Sequence, residues 1–217
     1  MNPIRTLSPV VLAAALVLAN SARAEVILVD TLGPDNSFNA VGWTIGTSSN
    51  IRQGPSFVTP DTPGLFFSGF ETVFSRVSRR PNELVIELRE DGGGTPGAVL
   101  ESFLFLDVVS QAASPSVISA SSVLRPRLAA NTQYWLIAST PTSNQFIWHL
   151  NELGEFGQLT PHAFTSGDAP FSVNDRQPMP ALRVKAGVIP EPSSLVSLGI
   201  GLVLVGGAIA RRWRSRA

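Results

Sequence analysis

Leu84-Val85-Ile86-Glu87-Leu88-Arg89 alternates with a period of two. Successive side chains of an extended chain point to opposite faces, so Leu84, Ile86 and Leu88 share one side while Glu87 and Arg89 share the other. A segment built this way rests one face on a core and turns the other toward water. The segments around it decide whether it belongs to an all-β domain or to a mixed fold.

Outward from this stretch the chain repeats one theme. Short runs of β-branched and aromatic residues are separated by Gly, Pro, Asn and Ser, and no apolar period of 3.6 residues is sustained. Upstream, strands are expected over residues 26–32, 43–45, 51–58 and 70–78; downstream, after the loop Gly92-Gly93-Gly94-Thr95-Pro96-Gly97, over 99–108, 116–124, 133–139, 145–150 and 181–186. No helix is available for a parallel crossover, which excludes a doubly wound sheet. About nine strands at this spacing predict an antiparallel β-sandwich, jelly-roll-like, because two stacked sheets bury both apolar faces. Phe66-Phe67 and Phe103-Leu104-Phe105-Leu106 are expected to be strand core, the latter buried on both faces. Residues 151–180, rich in Gly, Pro, Asp and Ser, read as a long loop and as the first place to look for a binding site.

The two ends read differently from the body. Residues 1–24 have a positive start at Arg5, an apolar run over 10–19 and small residues at Ala22 and Ala24, the pattern of a signal peptide read by signal peptidase, with the mature chain expected to begin at Glu25. About ten apolar residues are too few to span a bilayer core of roughly 30 Å as a helix. At the other end, residues 195–210 carry no charge and precede Arg211, Arg212, Arg214 and Arg216. Taken from Ser193 to Ala210, this segment is expected to be one transmembrane helix, with the arginines of the 211–217 tail as a basic anchor on the cytoplasmic side. The chain therefore divides into a leader (1–24), an extracellular body (25–187) and a C-terminal segment (188–217).

Charge and composition narrow the function of the body. Two of the 16 basic residues lie in the leader and four in the tail, leaving ten between residues 25 and 189 against fifteen of the 16 acidic ones, a net charge of about −5. No basic stripe remains to neutralise phosphates, which excludes a nucleic-acid partner. Cysteine is absent, so disulfides, thiolate chemistry and cysteine metal sites are excluded. Neither a metal nor another cofactor is expected. Lysine occurs once, at Lys185.

Catalytic candidates are few. His149 lies in an apolar strand and His162 in the long loop; a Ser-His-Asp arrangement remains open, since such residues meet only in space. Glu87, Glu90, Asp91 and Asp107 could supply a glycosidase pair or calcium ligands, but they flank Gly-Gly-Gly without calcium-loop spacing and read more simply as solvated turn acids. Trp43, Tyr134, Trp135 and Trp148 are the candidates for stacking on sugar rings, with core packing as the default reading for each. Adjacent in one strand, Tyr134 and Trp135 must face opposite sides, so one is expected to fill the core and the other is free to be exposed.

The order Pro190-Glu191-Pro192, apolar segment, arginine-rich end resembles the PEP-CTERM sorting signal of exopolysaccharide-producing Gram-negative bacteria. The resemblance implies that an exosortase recognises Pro190, Glu191 and Pro192 and processes the chain there, after transient anchoring in the inner membrane, on the way to the cell surface or a biofilm matrix. The body is similar to choice-of-anchor domains in Asn36-Ser37-Phe38, Gly42-Trp43-Thr44-Ile45-Gly46, residues 88–91 with 94–100, and Asn131-Thr132-Gln133-Tyr134-Trp135-Leu136. The resemblance implies location rather than biochemistry, and the function expected of the chain is that of a non-enzymatic surface or exopolysaccharide-associated protein. The alternatives are a lectin-like carbohydrate-binding module and a polysaccharide-active hydrolase.

Overall fold

Leu84, Ile86 and Leu88 are fully buried, and the strand they belong to pairs on both edges. The computed structural model describes residues 25–189 except 48, 78–81, 111–113, 142–143, 153–160 and 176. The leader with Ala22 and Ala24, the Pro190-Glu191-Pro192 motif, the 193–210 segment and the four tail arginines lie outside the described residues.

The described chain is all β. Its strands are β1 (Glu25–Asp30), β2 (Gly42–Gly46), β3 (Ile51–Val58), β4 (Leu65–Arg76), β5 (Glu83–Asp91), β6 (Pro96–Leu106), β7 (Ser116–Ser121), β8 (Arg127–Leu128), β9 (Gln133–Ser139), β10 (Gln145–His149), β11 (His162–Ser166), β12 (Ser172–Asn174) and β13 (Leu182–Val188), with one turn of 3-10 helix at Pro34–Asn36. Neighbours pair in the order β1-β13-β4-β10-β2-β3-β9-β5-β6, while β7 and β8 flank β4 and β11 pairs with both β3 and β12. Every pairing is antiparallel.

This continuous ladder curls until it faces itself. The main core joins Phe67, Phe70 and Phe74 of β4, Ile118 of β7 and Val184 of β13 to Ile86 of β5 and Leu136 of β9, strands that do not hydrogen-bond to one another across that gap. Phe103 of β6 meets Phe70 edge-on at 5.2 Å and Phe67 at 6.1 Å. Two layers with side chains meeting between them make the antiparallel sandwich that the alternation predicts.

β8, β11 and β12 are strands where none is expected. β8 has two residues, too short for a visible period, and β11 with β12 occupies part of the supposed 151–180 loop. β11 pairs with β3, more than a hundred residues upstream, as in Ala163 opposite Gly54, and β8 pairs with β4. Local pattern carries no trace of such a partner.

On the outer face of β1, β13 and β4 runs a charge ladder. Arg183 reaches Asp30 at 3.0 Å and Glu71 at 2.7 Å, and Glu71 also holds Lys185. Lys185 holds the Glu71 carboxyl below its usual value against the opposing effect of burial, with Arg183 adding to the effect. The lone lysine therefore has a structural partner across the β13–β4 pair.

Candidate functional site

The aromatic candidates sit mostly inside. Tyr134 faces the main core, stacked on Phe57 at 5.9 Å with its hydroxyl accepting the Ala129 N–H at 2.9 Å. Trp135 faces the opposite side, as strand geometry requires, yet it too is fully buried, beneath Ala163 of β11 with Phe171 and Val173 packed alongside. The second member of the pair is thus covered as well, because residues 161–174 fold back over the outer face of β9. Trp148 is also fully buried, stacked on Phe74 at 5.0 Å and donating its indole N–H to Thr72 Oγ1 at 2.6 Å. Trp43 is half-buried, edge-on to Trp148 at 6.0 Å and 4.0 Å from the His162 ring. Tyr134, Trp135 and Trp148 have no free face on which a sugar ring could stack.

The histidines are structural in their surroundings. His149 Nδ1 lies 2.9 Å from the Asn39 carbonyl, which can only accept, so Nδ1 carries a proton; in the neutral ring Nε2 accepts the Ser75 hydroxyl at 2.8 Å. This is a Ser-His pair, but both residues are buried and the third partner is a backbone carbonyl rather than a carboxylate. His162 Nε2 donates to Gln53 Oε1 at 2.9 Å, an orientation fixed by Gln53 Nε2 donating to the Thr44 carbonyl at 2.5 Å. Burial holds His162 far below its ordinary value, at about 4.

The carboxylates are engaged separately. Glu87 Oε2 accepts both Nε and Nη2 of Arg89, at 2.9 and 2.7 Å. Asp91 accepts the Gly93 and Gly94 amides at 3.2 and 2.9 Å, Gln133 Nε2 at 3.1 Å and the Trp135 indole at 3.0 Å. Burial pushes Asp91 up, but the Gly94 amide, the Trp135 indole, the Gly93 amide and the Gln133 amide outweigh it and hold it below its usual value. Glu87 pairs opposite Ser102, and Asp107 lies just past the end of that neighbouring strand at Leu106, which is itself about 13 Å along it at strand rise. That exceeds the roughly 5–9.5 Å separation of a glycosidase pair. Among the described residues no group of three or more His, Asp or Glu converges as a metal would require.

One buried acid lies outside the candidates drawn from the sequence. Glu101 of β6 turns inward, accepting Ser122 Oγ at 2.5 Å and the amides of Val123 and Leu124 at 2.8 and 3.1 Å; Ser122 Oγ in turn accepts the Arg125 amide at 2.9 Å. This network fixes the β7–β8 turn, including Arg125 in the left-handed region at φ 49°. The signal was present as an acid interrupting the apolar run Val99-Leu100-Glu101-Ser102-Phe103.

The remaining feature is the end of the sandwich where the body starts and stops. Glu25 opens β1 opposite Gly187 of β13, so the two ends of the body leave side by side. On the other edge of β13, Val188 pairs with Leu65, and the Ile189 amide donates to the Gly64 carbonyl at 2.9 Å. Gly64 stands at φ +73°, a left-handed turn that a side chain would strain, and this aims its carbonyl at Ile189. Beside these strands is a shallow cavity of about 210 Å³ lined by Glu25, Phe66, Ser68, Ser122, Arg125 and Gly187, among others. Gly187 leaves room for the Phe66 ring, which an added Cβ would strike at 2.2 Å.

Residues 188–215 match the family model of the PEP-CTERM protein-sorting motif. The chain carries a PEP-CTERM sorting signal. The matched segment begins on the last residue of β13, so body and signal meet without a linker. The PEP-CTERM signal implies export, transient membrane anchoring and delivery to the cell surface, with an exosortase as processing partner. No curated protein matches the chain. Among the described residues no helix is long and apolar enough to cross a membrane; the expected span at 193–210 lies outside them.

Proposed function

We propose that the chain is the precursor of a non-enzymatic surface protein of a Gram-negative bacterium. Signal peptidase removes residues 1–24, the 193–210 segment holds the precursor in the inner membrane, and an exosortase acting at Pro190-Glu191-Pro192 separates the body from its anchor. The β-sandwich then becomes a component of the cell surface or of an exopolysaccharide-rich biofilm matrix. The observation that carries this reading is the sorting signal directly abutting a self-contained antiparallel body. The engagement of Glu87, Asp91 and Glu101 with partners of their own supports a body without hydrolytic chemistry. The test is intact-mass measurement of the protein from its native host, with and without the exosortase. The expected body starts at Glu25 and lacks residues 193–217 only where the enzyme is active; a chain still ending at Ala217 beside active exosortase overturns the proposal.

A further inference from the structure

We infer that the end of β13 is a latch on the sorting signal, so that exosortase processing proceeds through fraying of that strand end. The inference rests on the sorting function proposed above and adds the body itself to what the enzyme must handle. Val188 and Ile189 belong to two objects at once: they open the matched signal, and among the described residues they are the last ones stitched to the sandwich. Val188 is paired with Leu65, and Ile189 donates to Gly64 at 2.9 Å, in a left-handed turn that Gly64 adopts without the strain a side chain would bring. Pro190 follows by one peptide bond. An enzyme that takes an extended segment around residues 190–192 into its active site meets, on the upstream side, backbone already committed to β4.

The partner strand on the other side makes the geometry tighter. Glu25 is opposite Gly187, so the start of β1 crowds the same strand end from its second edge. Access to residues immediately before Pro190 therefore requires Ile189, and with it Val188, to leave the sheet. Terminal strand pairs open without global unfolding, so this is a local equilibrium that precedes the cut. A net stabilisation typical of one or two backbone hydrogen bonds slows a step that needs them open by about fivefold or more.

The experiment uses the full chain in a host with active exosortase, followed by pulse-chase of the anchored precursor. Inserting Gly-Ser-Gly-Ser-Val-Ile after Ile189 leaves the original strand end in the sheet and places a second, unlatched Val-Ile before Pro190. Tail removal is expected to speed up about fivefold or more. A rate equal to or slower than that of the unaltered chain overturns the latch while leaving the sorting function intact. An unaltered chain that keeps its tail in that host overturns the sorting function and the latch with it. A second variant, I189P, removes the amide donor at constant length and is expected to accelerate processing in the same direction; a variant processed no faster counts against the latch.

Discussion

The outer faces of β9 and β6 belong to one sheet and look alike in sequence, yet they meet opposite fates. β9 reads Gln-Tyr-Trp-Leu-Ile-Ala-Ser and buries its outward Trp135 and Ile137 completely under β11 and residues 171–173. β6 ends Ser-Phe-Leu-Phe-Leu and leaves its outward Leu104 and Leu106 58% and 53% exposed. The sequence pattern reads β6 as buried on both faces and leaves the outward member of the Tyr134–Trp135 pair open to exposure, the reverse of what the sheet does. What separates them is position in the sheet. β9 is central, with β3 and β5 on its edges, and β3 brings β11 along as a cover; β6 is an edge with no strand beyond it among the described residues.

The sharpest test of this contrast is truncation on the covered face. W135A removes a fully buried indole packed with Ile137 and Ala163 and deletes its hydrogen bond to Asp91. It is expected to cost about 3–5 kcal/mol of unfolding free energy, read from urea denaturation of the body. A loss below about 1 kcal/mol would mean that the β11–β12 cover does not seal this face.

The cover also carries a titration. His162 at the start of β11 is buried with a value near 4, below the unfolded value of 6.5, so the unfolded chain binds more protons between those limits. Its contribution to stability is full above about pH 6.5 and is lost as the pH falls toward 4, by up to about 3 kcal/mol. Denaturation midpoints between pH 7 and 4 should fall for the unaltered chain and fall less for H162Q. Equal slopes would place the histidine in water and leave the hairpin unclamped. Glu71, held below its usual value by Lys185, adds a loss in the same direction at the acid end, so the comparison must be made against the variant rather than in absolute terms.

On the exposed side, β6 is not an unguarded edge. Glu101 is an inward charge in an apolar strand, and register shifts between Leu88 and Asp91 mark a bulge beside it, two devices that discourage edge-to-edge pairing. E101Q retains the shape but weakens three accepted hydrogen bonds, one from Ser122 and two from backbone amides. The expected loss is about 1–2 kcal/mol, measured by urea denaturation. A neutral outcome would show that the β7–β8 turn holds itself without this carboxylate.

These cases also mark how far the sequence could be read. Alternation at residues 84–88 set the face of β5 correctly, because a period of two is a local property of the backbone. The opposite facing of Tyr134 and Trp135 was legible for the same reason. Whether a face is covered was not, because the cover comes from residues 161–174 pairing with β3, and strand pairing across such a separation leaves no local mark. The sorting signal was legible because its three parts are contiguous. Its attachment to the last residue of β13 was not, since the Val188–Leu65 pair joins segments far apart in the chain.

The smallest expected effect is L104K. A leucine that is already more than half exposed has lost little water on folding, so most of the roughly 1.5–3 kcal/mol that full burial of a leucine contributes is absent at this position. A lysine there keeps its stem along the sheet and its ammonium in solvent, and on an edge strand it adds repulsion against another copy. Unfolding free energy should change by no more than about 0.5 kcal/mol, while light scattering of a concentrated sample should show equal or weaker association. A loss of 2 kcal/mol or more would mean that something packs on β6 in solution, and the distinction between a covered β9 and an open β6 would then fail on the side where it now rests on exposure alone.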